Sequence, residues 1–250
     1  MKAFLTGILV SASLLAQASG QAPANAPKTA PAKSTTTRPA TAAARPSLLK
    51  PESMHAKAPA VFKARFTTTV GDFVVEVHRD WSPLGADRFY NLVKYGFFTN
   101  ASFFRVVPGF VVQFGLNANP AVNKAWAEAH IQDDPVVQSN KRGYLVFASA
   151  GPGTRTTQLF INFKDNPRLD GMGFSPFGNV IEGMDAVDKI FPGYGERPQQ
   201  DQITEQGDAY LTKNFPEIDK IKFARIVPPV PPATTPAKPA TKPVAKPVAK

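Results

Sequence analysis

The chain has 250 residues, no cysteine and a formal net charge of +10 at pH 7. The absence of cysteine excludes disulfide bonds and lipid attachment through a cysteine thiol. Residues 60–227 carry 18 basic and 18 acidic residues, so the positive excess lies in the flanking segments, and this neutral centre argues against a nucleic-acid-binding domain.

The first 20 residues have the pattern of a secretory signal peptide. Lys2 precedes a short apolar run, and Ala16-Gln17-Ala18 places small residues at the spacing of a cleavage site. The alternative is an uncleaved membrane anchor, but the run is short for a span of about 20 residues. We therefore predict an exported protein, periplasmic or extracellular. Residues 21–59, rich in Ala, Pro and Thr, predict a disordered linker.

A folded domain is predicted over residues 60–227, and it begins with a hairpin and a helix. Residues 62–69 and 73–78 alternate apolar and polar side chains around a tight turn, as paired strands do. Ser82 followed by proline is typical of a helix start, and Gly96 suits the helix end.

Residues 103–115 predict two apolar strands around a Pro-Gly turn, with one strongly polar residue on each strand. These two residues are Arg105 and Gln113. Burial of either side chain costs free energy unless it is hydrogen-bonded, and a guanidinium stays charged at ordinary pH. The two side chains therefore either face solvent or line a mostly apolar cleft.

Residues 117–142 predict an irregular segment, because Pro120 and Pro135 flank the few residues that could form helical turns. Many short strands with two helices indicate a β-barrel capped by helices. The remaining predicted elements are strands at 144–149, 158–163 and 177–181, a helix at 184–190 and a last strand at 221–226.

Residues 228–250 form a predicted cationic tail rich in Pro, Ala and Lys. Its lysines recur every four residues from Lys238 to Lys250, but proline at this density prevents a helix. Two interpretations stay open. The tail is either a solvated tether or an anchor that binds an anionic envelope surface through its positive charge.

Three segments in order carry a resemblance to a known family. Residues 103–115 match the pattern F-H-R-x-x-x-G-F-x-x-Q-x-G, with Phe104 in place of its histidine. Residues 143–161 match G-x-L-x-M-A-N-A-G followed by S-Q-F-F-I, with Ser149 in place of its asparagine. Residues 169–184 match L-D, F-G-x-V and G-M in order, with one extra residue within 173–178. The chain resembles the cyclophilin-type peptidyl-prolyl cis-trans isomerases, and residues 173–178 are similar to an exported bacterial branch of that family.

This resemblance implies an eight-stranded antiparallel closed barrel with a helix over each end. It also implies an isomerase that acts on unfolded or extended Pro-containing polypeptides, as a monomer and without cofactor or metal. The residues matching the catalytic positions are Arg105, Gln113 and Phe160. The residues matching the substrate-binding positions are Phe110, Val111, Ala148, Ser149, Gln158 and Leu169.

Two departures from the family pattern leave a second hypothesis open. Arg168 stands where many cyclophilins have a tryptophan, and Gly173 falls where they have a cleft histidine. Retention of Arg105 with Gln113 favours an enzyme. Loss of the other two side chains favours a chaperone module that binds proline peptides without turnover and is tethered to the cell surface.

Overall fold

The computed structural model describes residues 47–229, and its centre is one antiparallel sheet of nine strands. The strands are β1 (Val61–Thr68), β2 (Asp72–His78), β3 (Ala101–Ser102), β4 (Arg105–Val107), β5 (Val111–Phe114), β6 (Tyr144–Phe147), β7 (Leu159–Asn162), β8 (Pro176–Glu182) and β9 (Lys220–Val227). The helices are α1 (Pro83–Lys94), α2 (Pro120–Trp126), α3 (Met184–Asp188), α4 (Gln200–Gln206) and α5 (Asp208–Asn214), with 3₁₀ helices at Pro51–Ser53 and Pro167–Met172.

The strand order is β3-β9-β1-β2-β8-β6-β7-β5-β4, so the sheet starts and ends with strands that are neighbours in sequence. This order makes a curled half-barrel, in which β1 lies between β2 and the last strand, β9. The expected closed barrel of eight strands is not confirmed. A two-residue β3 adds a ninth strand beside β9, and no ladder joins β3 to β4 within residues 47–229.

The core lies on one face of the sheet and is rich in phenylalanine. Along β1, Phe62, Ala64 and Phe66 are buried, while the residues between them are exposed, as the period of two requires. Phe66 stacks on Phe73 of β2 with ring centroids 4.8 Å apart. The buried face of α1 contributes Phe89, whose ring lies 6.1 Å from that of Phe66.

The N-terminus of α1 is capped by a side chain from a distant loop. Ser82 occupies the N-cap position, as predicted, but its hydroxyl donates to Asp134 instead of accepting from the helix. The Asp134 carboxylate accepts from the backbone N–H groups of Leu84 and Gly85 at 3.0 and 2.9 Å. It also accepts from Arg155 at 3.0 Å, and both side chains of this ion pair are about 95% buried.

The predicted irregular segment at 117–142 contains the helix α2. Pro120 is its first residue and does not interrupt it, because proline lacks an N–H that the first turn leaves unpaired anyway. The Asn119 side chain accepts from the N–H of Ala121 and caps this start. Trp126 at the other end is 2% exposed and packs edge-on against Phe97.

Residues 200–214 form two successive helices, α4 and α5, that the sequence analysis did not predict. Together with α2 they bring the number of α-helices within residues 47–229 to five, where two were predicted. Helices α4 and α5 cover a small second core on the sheet side that carries β4 and β5. Its buried members are Phe104, Leu116, Ile203, Leu211, Phe215 and Ile218.

Residues 47–59 pack on the domain, although they belong to the stretch predicted as a disordered linker. Met54 and Ala58 are 7% and 5% exposed. The Ala58 N–H donates to Asp87 at 2.8 Å, and the Trp126 indole donates to the Leu48 carbonyl at 2.8 Å. The overall Ala and Pro content concealed these few anchoring residues.

The predicted signal peptide, residues 1–20, lies outside the described residues, as do the first part of the linker and nearly all of the tail. Within 47–229, none of the helices combines the length and the apolar character that crossing a membrane requires. Nor does this range contain a group of three or more His, Cys, Asp or Glu side chains placed to hold a metal ion.

Candidate active site

All nine residues predicted from the sequence line one open cleft of about 470 Å³. They come from four segments that the sheet brings together: β4 and β5, β6 and its continuation, β7, and the 3₁₀ helix Pro167–Met172. The nine residues are Arg105, Phe110, Val111, Gln113, Ala148, Ser149, Gln158, Phe160 and Leu169. Their roles remain predictions, whereas their proximity is a property of the fold.

Strand register places the three predicted catalytic residues in one row across the sheet. Arg105 of β4 lies directly opposite Gln113 of β5, and Gln113 lies opposite Phe160 of β7. Residues opposite each other on antiparallel strands point to the same face. The row therefore presents a guanidinium, an amide and an aromatic ring side by side at the cleft surface.

A chain of hydrogen bonds fixes the polar part of this row. Arg105 Nη1 donates to Gln113 Oε1 at 3.3 Å, and Gln113 Nε2 donates to Gln158 Oε1 at 2.8 Å. Gln113 is 8% exposed, so its amide needs these partners to offset the cost of burial. The two bonds orient the amide with its oxygen toward Arg105.

Glu196 holds the other edge of the Arg105 guanidinium, and sequence reasoning missed it. Its Oε1 atom accepts a hydrogen bond from Nε of Arg105 at 2.6 Å and forms an ion pair with Nη2, also at 2.6 Å. The loop that carries Glu196 is attached to β4, because the Val106 N–H donates to the Gly195 carbonyl at 3.0 Å. The segment has no helical or strand periodicity, and its only signal was a lone carboxylate between Gly195 and Arg197.

An apolar pocket lies beside the polar row. Val111, Phe160 and Leu169 are 2%, 6% and 4% exposed and form its walls with Val146. Phe174, which was not predicted, packs edge-on against Phe160 with ring centroids 5.7 Å apart. An apolar pocket of this kind suits a compact apolar group such as a proline ring.

The edge of the cleft beyond β6 is an irregular backbone segment that hydrogen bonds fix at two points. The Ala148 N–H donates to the Gln158 carbonyl, and the Ala150 N–H donates to the Thr154 hydroxyl, each at 2.9 Å. Ser149 lies between these two fixed points and lines the cleft. An extended peptide could therefore pair with this backbone by strand addition.

The rim opposite this edge carries a second arginine. The Arg168 guanidinium carbon lies 5.5 Å from the centre of the Phe110 ring, and that of Arg105 lies 6.0 Å from the same centre. Phe110 thus separates two cations. At Gly173 no side chain enters the cleft, and its φ of +83° ends the 3₁₀ helix in the left-handed region.

The 3₁₀ helix that carries Arg168 and Leu169 is held in place by Asp170. The Asp170 carboxylate accepts from the Ser139 hydroxyl and from the backbone and side-chain N–H groups of Asn140. Partial burial opposes the charged form of Asp170, but these hydrogen bonds outweigh it and lower the pKa of the carboxyl group. The helix is therefore anchored by a carboxylate that faces away from the cleft.

The fold and the cleft define a class of protein: an antiparallel half-barrel with one open, mostly apolar cleft built around an arginine. The family model for cyclophilin type peptidyl-prolyl cis-trans isomerase/CLD matches residues 63–207, which is more than half of the chain. The chain belongs to this cyclophilin-type family.

Similar proteins differ in how much of their length the chain covers. It is 34% identical over 162 residues to "Peptidyl-prolyl cis-trans isomerase-like 2" of Cryptococcus neoformans, which covers 61% of the chain but only 28% of that relative. It is 35% identical over 133 residues to "Peptidyl-prolyl cis-trans isomerase B" of Escherichia coli, covering 50% of the chain and 81% of the relative. A crystal structure of a Cryptosporidium parvum cyclophilin type isomerase aligns with 23% identity and a TM-score of 0.49, covering 68% of this chain and 99% of that one.

Proposed function

We propose that the chain is a peptidyl-prolyl cis-trans isomerase that accelerates rotation about X-Pro bonds in extended polypeptides. The observation that carries the proposal is the row of Arg105, Gln113 and Phe160 beside an apolar pocket. The curated relatives bear the name of this activity.

The reaction needs no nucleophile and no proton transfer, because no covalent bond changes. Rotation crosses a barrier of about 18–20 kcal/mol that arises from amide resonance. As the bond twists, the proline nitrogen regains its lone pair and becomes a hydrogen-bond acceptor. A donor placed at this nitrogen stabilises mainly the transition state, and each 1.4 kcal/mol or so gained there raises the rate about tenfold.

Arg105 supplies this donor in the proposed mechanism. A guanidinium has five N–H groups, of which Glu196 engages one on Nε and one on Nη2, and Gln113 engages one on Nη1. Two N–H groups are left, one on Nη1 and one on Nη2, and the one on Nη1 is assigned to donate to the twisted nitrogen. Because three contacts hold the guanidinium before substrate arrives, little reorganisation accompanies the reaction.

The remaining site residues hold the substrate. Val111, Phe160 and Leu169 would enclose the proline ring, with Phe110 and Ala148 at its rim. The backbone at Ser149 would pair with the extended substrate. Gln158 orients Gln113 and thereby acts on Arg105 from a distance.

We further propose that the chain belongs to an exported bacterial branch and works as a monomer in the periplasm or outside the cell. The support is the signal-peptide pattern of residues 1–20 and the lysine-rich tail, which would contact an anionic envelope surface. Mass spectrometry of the mature protein tests the first point, because an uncleaved N-terminus after secretion would contradict it.

The central experiment compares the full chain with its Arg105→Ala variant in an isomerisation assay on a short X-Pro peptide. We expect kcat/KM to fall about 100-fold, as for the loss of one transition-state donor. Arg65→Ala, an exposed arginine on β1, is the matched control and should leave the rate unchanged. Equal rates for wild type and Arg105→Ala would refute the mechanism.

The same experiment decides between the enzyme and the chaperone alternative. A folded wild-type chain that binds proline peptides, measured by NMR titration, but does not accelerate isomerisation would establish the non-catalytic module. The observation that supports this alternative is that Arg168 and Gly173 stand where many cyclophilins have a tryptophan and a histidine.

A further inference from the structure

The charges of the cleft are unevenly balanced. Of the residues that line it, only Arg105 and Arg168 are charged, and no carboxylate is among them. Glu196, just outside the lining, neutralises Arg105 through two contacts of 2.6 Å. The net charge that a bound peptide meets at the cleft surface is therefore that of Arg168.

Arg168 is exposed, and within residues 47–229 it forms no ion pair. Its guanidinium lies over the Phe110 ring at 5.5 Å, an arrangement that leaves its N–H groups free for a ligand. Carboxylates are the ligands that a planar guanidinium binds best, because two parallel hydrogen bonds can form.

The backbone around Arg168 fixes where this charge lies. The next residue, Leu169, is 4% exposed and forms a wall of the apolar pocket. Asp170 then ties the 3₁₀ helix to Ser139 and Asn140. The guanidinium is thus held at the rim of the pocket assigned to the proline ring, beside the residues that flank proline in a bound peptide.

We infer that Arg168 makes the cleft selective for polypeptides that carry a carboxylate side chain next to the proline. This inference rests on the proposed function and names its substrate class: acidic X-Pro or Pro-X segments. Glu196 reinforces the selection, because it already occupies the carboxylate-binding edge of Arg105 and repels a second carboxylate there. An acidic substrate side chain therefore finds its partner only at Arg168.

The expected preference is modest because the guanidinium is exposed. Exposed ion pairs contribute roughly 0.4–1 kcal/mol, which corresponds to a two- to five-fold difference in kcat/KM. Screening weakens such a contact, so the preference should shrink toward unity in about 0.5 M salt. A lysine at the same substrate position should lower kcat/KM by a similar factor.

The test uses the full chain and three otherwise identical peptides with Glu, Gln or Lys beside proline, first on its N-terminal and then on its C-terminal side. Isomerisation is followed by NMR exchange, and binding by NMR titration. Arg168→Gln should bring the Glu-to-Gln ratio to about one, and Arg168→Glu should invert the order to favour Lys. Lys164→Gln makes the same charge change outside the cleft lining and should keep the wild-type ratio.

The outcomes separate this inference from the proposed function. Turnover of all three peptides at equal rates, or a preference that survives Arg168→Gln, overturns the role of Arg168 and leaves the isomerase intact. Binding that favours Glu in wild type but not in Arg168→Gln, without turnover of any peptide, supports the charge selection and overturns the isomerase. Equal binding of all three peptides without turnover overturns both.

Discussion

Replacing Asp134 by alanine removes the acceptor at which helix α1 and two loops meet. The carboxylate receives the Ser82 hydroxyl, the N–H groups of Leu84 and Gly85, and one nitrogen of the Arg155 guanidinium. Its loss leaves the first turn of α1 without a cap, and it leaves a buried cation without its closest carboxylate.

The magnitude follows from these contacts. Removal of one partner from a buried ion pair costs about 3–5 kcal/mol, and loss of a helix cap costs about 1 kcal/mol. The penalty is raised by Arg88, a second, partly buried arginine, whose pKa falls to about 10 because of burial and the nearby charge of Arg155. We expect Asp134→Ala to lower the free energy of unfolding by about 4–6 kcal/mol, a large part of the usual 5–15 kcal/mol.

Urea unfolding of the full chain at neutral pH, followed by tryptophan fluorescence, measures this change. Asp133→Ala is the control, because its carboxylate is 38% exposed and lies 3.3 Å from Arg155; about 1 kcal/mol is expected. The double variant with Arg155→Met should be more stable than Asp134→Ala alone, because an apolar side chain replaces the stranded charge. A loss below about 1 kcal/mol for Asp134→Ala, or strict additivity in the double variant, would refute the reasoning.

Three further predictions concern stability, each measured by urea unfolding of the full chain. Gly115→Ala should lower the free energy of unfolding by at least about 3 kcal/mol, because φ is +107° and the new Cβ would overlap a backbone carbonyl. The control Gly109→Ala, with φ of +68° and open space around the new Cβ, should lower it by only about 1 kcal/mol. Equal losses for the two variants would contradict the steric argument. The lowered pKa of Asp170 means that its carboxylate stabilises the fold fully above the ordinary value of about 3.9, and that this contribution disappears as the pH falls through the lower folded value. Asp170→Asn should therefore flatten the loss of stability as the pH falls below about 4, and an unchanged slope would exclude this role. Met54→Ala should lower the free energy of unfolding by about 2 kcal/mol, because Met54 is buried. Met172 is 64% exposed, so the control Met172→Ala should change it by less than about 0.5 kcal/mol. An unchanged stability for Met54→Ala would show that residues 47–59 do not stabilise the domain.

Short-range patterns predicted most strands and the helix α1. The alternation of residues 62–69 gave β1 within one residue, and Gly96 follows the end of α1 closely. Such patterns depend on neighbours within one or two turns of chain, and these are visible in the sequence. Pro120 shows the limit, because a proline can begin a helix as well as interrupt one, and the difference depends on a capping side chain such as Asn119.

The residues that line the site were predicted from the sequence. The residues distant in sequence that form hydrogen bonds with the site and with helix α1 were not predicted. The resemblance to the cyclophilin family predicted Arg105, Gln113 and Phe160 as one set, and the strand register places them in one row. Glu196 lies about 90 residues beyond Arg105 in a Pro- and Gly-rich loop, so no local pattern connects them. The acceptor role of Asp134 toward α1, about 50 residues earlier in the chain, was invisible for the same reason.

The pairing of β1 with β9 governs the order in which the domain can be completed. Lys63 of β1 lies opposite Val227 of β9, which follows it by about 160 residues in the sequence. The pairing of β1 therefore cannot be completed until β9 has been synthesised. Until β9 emerges, one edge of β1 presents unpaired backbone groups, the kind of surface on which partly folded chains aggregate. Contacts of such long sequence separation also slow folding. For the same reason the two ends of the domain are spatial neighbours, and a circular permutant that joins residues 60 and 228 and opens the chain at Gly153 would convert this late pairing into a local hairpin.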